Sequence, residues 1–100
     1  MINVRSFRIN KNFNGGKPFQ LPAAVSTKGI QLKANKNNQD SIWIGAGEFS
    51  FNSIDDAFPM DALDTILMEV SNMNEIWIKT DSPTDVRLHL LVMNKWEDET

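Results

Sequence analysis

The sequence predicts an all-β domain, a single β-sandwich or jelly-roll-like barrel of about seven to eight short strands. Three observations predict it. Apolar residues alternate with polar ones in short runs, as at Ile30-Gln31-Leu32-Lys33-Ala34 and Val86 to Met93. The runs are separated by turns drawn from 11 asparagines, a residue that tolerates left-handed backbone and hydrogen-bonds its own chain. The tripeptide Ile-Trp-Ile occurs twice, at 42–44 and 76–78, each time after an alternating run and an Asn-containing turn.

Taken in order, residues 2–9 are rich in β-formers, with imperfect alternation. Residues 10–18 form a loop, in which Gly15-Gly16 supply positive φ and Pro18 blocks a helix. Phe19-Gln20-Leu21 reads as a short strand stopped by Pro22. Residues 29–34 form a strand with Ile30, Leu32 and Ala34 on its buried face. After a turn at Asn35 to Gln39 comes the strand 41–45, and Phe49 and Phe51 share a face in the next. Residues 61–70 fit two periods. Leu63, Ile66, Leu67 and Val70 make a helical stripe, and Ile66, Met68 and Val70 alternate as a strand. The near-repeat favours the strand, over 64–71, and suggests two similar hairpins. The last strand carries Val86, Leu88, Leu90 and Val92 on one face. Its other face turns apolar at Leu91 and Met93, which makes the strand central or covered on both sides. The expected core is Ile30, Leu32, Ile42, Ile44, Ile76, Ile78, Leu88 and Leu90.

The chain divides into an N-terminal strand or extended arm at 1–25, a sandwich at 26–96 and an acidic tail at 97–100. One hundred residues make one domain. No apolar run approaches the roughly 20 residues of a membrane span, and no secretory signal is expected. The absence of cysteine removes disulfides and thiol chemistry. Residues 1–39 hold seven basic residues and no acid. Residues 40–100 hold three basic residues against all thirteen acids, leaving −3 overall. Such asymmetry suits a molecule whose ends attract copies of itself, although strands from both halves can interleave in space. Nucleic acid is disfavoured as a partner because the basic residues are scattered and the chain is acidic.

Catalytic candidates are weak, and no enzyme activity is expected. His89 is the only histidine and has no second histidine or cysteine with which to hold a metal. Ser41, Ser50, Ser53 and Ser71 lack a nucleophile-elbow context. Asp55, Asp56, Asp61 and Asp64 lack calcium-loop spacing and read as turn and capping residues. Gly45-Ala46-Gly47 is too short for a phosphate loop. Neither a cofactor nor a metal is expected. The binding candidates are aromatic: if the isoleucines of each Ile-Trp-Ile fill the core, Trp43 and Trp77 lie on an outer face. There they could cover neighbouring loops, contact another copy or form a sugar platform; Trp96 is a third indole. In an extended arm, Phe13, Phe19 and Leu21 would be apolar anchors, and Arg5, Arg8, Lys11 and Lys17 would meet an acidic partner surface.

The segment from Ser53 to Val92 resembles small virion proteins of tailed bacteriophages. The matching phrases are Ala57-Phe58-Pro59-Met60, the apolar stretch to Val70, Ser71-Asn72-Met73-Asn74-Glu75-Ile76-Trp77-Ile78, and Thr84-Asp85-Val86-Arg87. Ile30 to Asn35 and Ile42 to Gly45 fit the upstream hairpin of that pattern. The chain departs from it at Asp61-Ala62-Leu63-Asp64, where a Gly-Glu turn is usual. The resemblance implies a β-sandwich that coats or completes a capsid or tail, and it carries over no catalytic residue. The expected protein is a capsid decoration or cement protein that acts through many copies. Its partners would be itself, as a homo-oligomer such as a trimer, and the major capsid or another virion protein. It would be made in the bacterial cytoplasm and reside in the virion. The alternatives are a head–tail connector or tail accessory protein, and a carbohydrate-binding module with exposed tryptophan.

Overall fold

A computed structural model describes residues 2–52 and 56–95. Eight strands are present among the described residues: β1 (Ile2–Ile9), β2 (Phe19–Gln20), β3 (Gly29–Ala34), β4 (Ile42–Gly45), β5 (Phe58–Met60), β6 (Thr65–Met68), β7 (Trp77–Lys79) and β8 (Val86–Met93). They form two four-stranded antiparallel sheets, ordered β1-β8-β3-β6 and β2-β7-β4-β5. The pairings β1 with β8, β2 with β7, β3 with β6 and β4 with β5 nest inside one another like a single long hairpin. Rolling that hairpin sets β3 against β8 and β4 against β7. This is the jelly roll, in which one folded-over ribbon covers its own apolar face.

The alternation read from the sequence decides which face is covered. Ile30, Leu32, Ile42, Ile44, Ile76, Ile78, Leu88 and Leu90 are all buried, joined by Ile9, Leu21, Met60, Met73, Val86 and Val92. β8 lies between β1 and β3, a central position that accords with its two-faced apolar pattern. Residues 65–68 are strand, and the period-two reading of the ambiguous segment prevails because Ile66 and Met68 pair with Leu32 and Ile30 on the core side of β3.

Residues 2–9 take the strand alternative over the arm: all eight pair in register with β8, and Ile9 enters the core. Three expectations are corrected. The two Ile-Trp-Ile segments do not close hairpins. β3 and β4 lie in different sheets, as do β6 and β7, so each repeat is an arc crossing between the sheets. Among the described strands only β4 and β5 are consecutive and paired. Phe49 and Phe51 belong to a 3-10 turn at Glu48–Phe51 instead of a strand. That turn packs against Gly45, where an added Cβ would stand 2.6 Å from the Ser50 Cβ and 2.9 Å from the Phe51 ring. The strand missed in the sequence is β5, disguised by Pro59 at its centre; proline is tolerated there because β5 is an edge.

Candidate functional site

The rolled ribbon leaves each sheet with one outward face. On the first sheet, the registers set the outward residues in rows. Val4, Leu91, Gln31 and Leu67 form one row, with Ile2 and Met93 behind it. Ser6, His89, Lys33 and Thr65 form the next, and Arg8 stands directly opposite Arg87 beyond them. The face is thus apolar at one end and basic at the other.

The basic end is built by the turn after β3. Asn35 accepts the Asn37 N–H through Oδ1 at 2.9 Å. Asn38 clasps the backbone of Arg87 from both sides, donating to its carbonyl at 2.9 Å and accepting its N–H at 2.8 Å. Asn38 thereby accepts the Arg87 N–H in place of a further β3 residue, while the Asn35 N–H still donates to the Arg87 carbonyl at 3.1 Å. Directly opposed like charges destabilise a sheet, and Asp85, 3.9 Å from the Arg8 Nε, moderates the Arg8–Arg87 pair. Arg8, Asn35, Asn37, Asn38, Asp85 and Arg87 line an open cleft of about 280 Å³. Its two guanidinium groups present the fork geometry that receives a carboxylate or phosphate.

His89 links its own row to the turn after β3. Its Nδ1 lies 2.9 Å from the Ser6 hydroxyl and its Nε2 lies 2.8 Å from the Asn35 Nδ2. Because the Asn35 Oδ1 is held by the Asn37 N–H, the amide nitrogen faces the ring and donates to Nε2. The ring proton therefore sits on Nδ1 and is donated to Ser6. Among the described residues no group of three or more His, Cys, Asp or Glu could hold a metal. Asp61 and Asp64 tie their own turn together: the Asp61 N–H donates to the Asp64 carboxylate at 2.8 Å, and Ser41 donates to Asp61. Ser53, Asp55, Trp96 and the acidic stretch 97–100 lie outside the described residues.

On the second sheet Trp43 and Trp77 point outward and are half-buried, between core isoleucines as their tripeptides require. Trp43 lies between Pro59 and Lys79, and Trp77 between Gly45 and Gln20. The two indoles are diagonal neighbours on one face, within reach of a shared partner.

The other expected contact residues do not join them. Phe13 and Phe19 meet edge to face with centroids 4.9 Å apart and pack on the core, and Leu21 is buried within it. They close the home sandwich at its β2 side. Arg5 and Arg8 are exposed on opposite faces of β1, and Arg8 already meets Asp85 of its own chain. Lys11 and Lys17 are exposed in the loop before β2, and the Lys11 N–H is bound to the Ser82 carbonyl at 2.7 Å. The sequence reading missed Arg87, Asn35 and Asn38 because their convergence depends on the β1–β8 register, set by residues more than 70 positions apart. Comparison of the chain with protein-family models, with curated proteins and with solved structures finds no match.

Proposed function

We propose that this chain is a virion structural protein, a capsid decoration or cement protein that stabilises a phage head through multivalent contacts. The observation that carries the reading is the jelly roll itself. One small β-sandwich spends its residues on a covered core and offers outward faces with an apolar row, paired arginines and two diagonal indoles. Those features suit adhesion to protein surfaces. Each such contact is modest, and repetition over a lattice multiplies the strength of attachment without new contacts. The resemblance of residues 29–92 to tailed-phage virion proteins supplies the setting, and a head–tail connector or tail accessory role would use the same faces.

The test is to purify the particles and locate the chain in a map of the intact virion. Density for it on the capsid surface supports the decoration reading, density at the neck or tail moves it to the accessory role, and its absence from purified particles removes both. The outward Trp43 and Trp77 favour one further reading, a sugar-binding face. Clear binding on a glycan array that is lost in Trp77→Ala would replace the structural reading with that one.

A further inference from the structure

Four strands edge the two sheets, and the sequence treats them in two ways. In the second sheet, β2 is two residues long and flanked by Pro18 and Pro22, while β5 carries Pro59 at its centre. Short strands and proline are the usual means of stopping an edge from pairing with another chain. In the first sheet neither edge is blocked. β1 runs for eight residues and β6 for four, and neither contains proline. Both edges carry exposed apolar side chains on the same outward face: Ile2 at 59% and Val4 at 68% exposure on β1, and Leu67 at 58% on β6.

The two open edges are opposite in charge. β1 carries Arg5 and Arg8 and no acid; β6 is bracketed by Asp64 and Glu69, with Asp61 in the preceding turn. Arg5 is exposed and has no ion-pair partner among the described residues. Within the sheet β1 and β6 run in opposite directions, so a second copy in the same orientation brings its β6 antiparallel to β1. Faces match only when an even-numbered residue of β1 meets an odd-numbered residue of β6, because these are the outward sets. One such register sets Ile2 against Leu67, Val4 against Thr65 and Arg5 against Asp64. It covers the exposed apolar residues of both edges and pairs opposite charges across the strands.

We propose that copies of this chain associate head to tail, the β1 edge of one adding to the β6 edge of the next to continue the first sheet. This goes beyond the multivalent attachment proposed above: it adds a contact between copies and names the surfaces that perform it. Two β1 strands meeting about a two-fold axis would bring only basic residues together, so the charge pattern favours the unlike edges. A head-to-tail contact generates a ring when its rotation closes and an open array when it does not. The contact is short, so each single interface is weak.

Sedimentation velocity on the full chain tests this at low salt, at concentrations from about 10 µM to about 1 mM, the span of weak protein contacts. Wild type is expected to associate reversibly, and less at high salt, where exposed charges are screened within about 3 Å at 1 M. Arg5→Glu and Asp64→Arg should each weaken association by about tenfold or more, because they set like charges face to face. Mixing the two variants should restore it, since the carboxylate introduced on the β1 edge of one then meets the guanidinium introduced on the β6 edge of the other. That rescue also shows that both variants are folded. Leu67→Glu, at an exposed outward position, should weaken association without exchanging a charge pair. A wild-type chain that stays monomeric at about 1 mM overturns the proposal. So does strengthened association in Arg5→Glu with no effect of Asp64→Arg, the signature of β1 meeting β1, where a carboxylate relieves the facing basic residues. If association fails while the chain is still located on particles, only the edge pairing falls. If association holds in a chain absent from particles, the edge pairing stands and the virion role falls.

Discussion

Ile44 and Ile78 stand opposite each other where β4 meets β7, and both are buried. Truncating either to alanine removes buried methyl groups and leaves a cavity, so each should cost about 2–5 kcal/mol in chemical unfolding. Because the two touch the same space, the double variant should cost less or more than the two losses added, by at least about 0.5 kcal/mol. Gly45 fails in the opposite direction. Alanine there drives a methyl group into the Ser50 Cβ and the Phe51 ring, and the tightly packed turn must move. Gly45→Ala should destabilise by about 1–3 kcal/mol in the same experiment. An unchanged midpoint would mean that the 3-10 turn yields easily. Ser82 is a polar counterpart. Its buried hydroxyl reaches the Asp40 carboxylate at 2.9 Å and the Thr84 carbonyl at 2.8 Å, joining the turn after β7 to the loop before β4.

At the scale of elements, the bend between β6 and β7 is held by one asparagine. Asn72 Oδ1 accepts the N–H of Asn74 at 3.1 Å and the N–H of Ala24 at 3.0 Å, while Glu75 reaches back to the Asn72 N–H at 2.9 Å. This capping box closes a short 3-10 turn and also ties it to the segment before β3. Asn72→Ala should cost about 1–2 kcal/mol, at the upper end for a cap, because two donors are released instead of one. Glu75→Gln retains an acceptor and should cost less; equal losses would show that the carboxylate charge, not its geometry, matters. The edge strand β1 is divided in the same way. Residues 2–6 are exposed, whereas Phe7 packs on the core and Ile9 lies inside it. Deleting residues 1–5 should leave a folded chain by circular dichroism. Deleting residues 1–16 uncovers the flank of β8 and removes Phe13 from Phe19, so that shorter chain should not fold.

For the whole molecule, the nesting of strands sets how it forms. β1 pairs with β8 from Ile2↔Met93 to Ile9↔Val86, so nearly the whole chain lies inside that pairing. Apart from β4 with β5, no described strand pairs with its immediate successor. Loop closure must therefore be offset before most of the core is buried, and folding should take milliseconds to seconds in stopped-flow measurements. Microsecond folding would contradict an order in which the outer pairs close last. The same rolling gathers the +7 and −10 halves of the chain into common sheets, leaving opposite charge at the two edges of one sheet.

Alternation by itself determined which residues are inside, because a strand has period two and water decides which face is covered. It identified all eight predicted core residues, the outward direction of Trp43 and Trp77, and β8 as a strand central or covered on both sides. Turn chemistry located most of the breaks for a similar local reason: asparagine, glycine and proline act through their own backbone. Pairing was not legible, because hydrogen bonds between strands are formed by backbone atoms that every residue shares. The near-repeat at 30–44 and 66–78 therefore suggested hairpins, where the tertiary structure sends each second strand to the other sheet. For the same reason the meeting of Arg8 with Arg87, of Ser6 and Asn35 with His89, and of Phe13 with Phe19 came only from the fold. Local sequence sets a residue's face and its turn; only the rolled ribbon sets its neighbours.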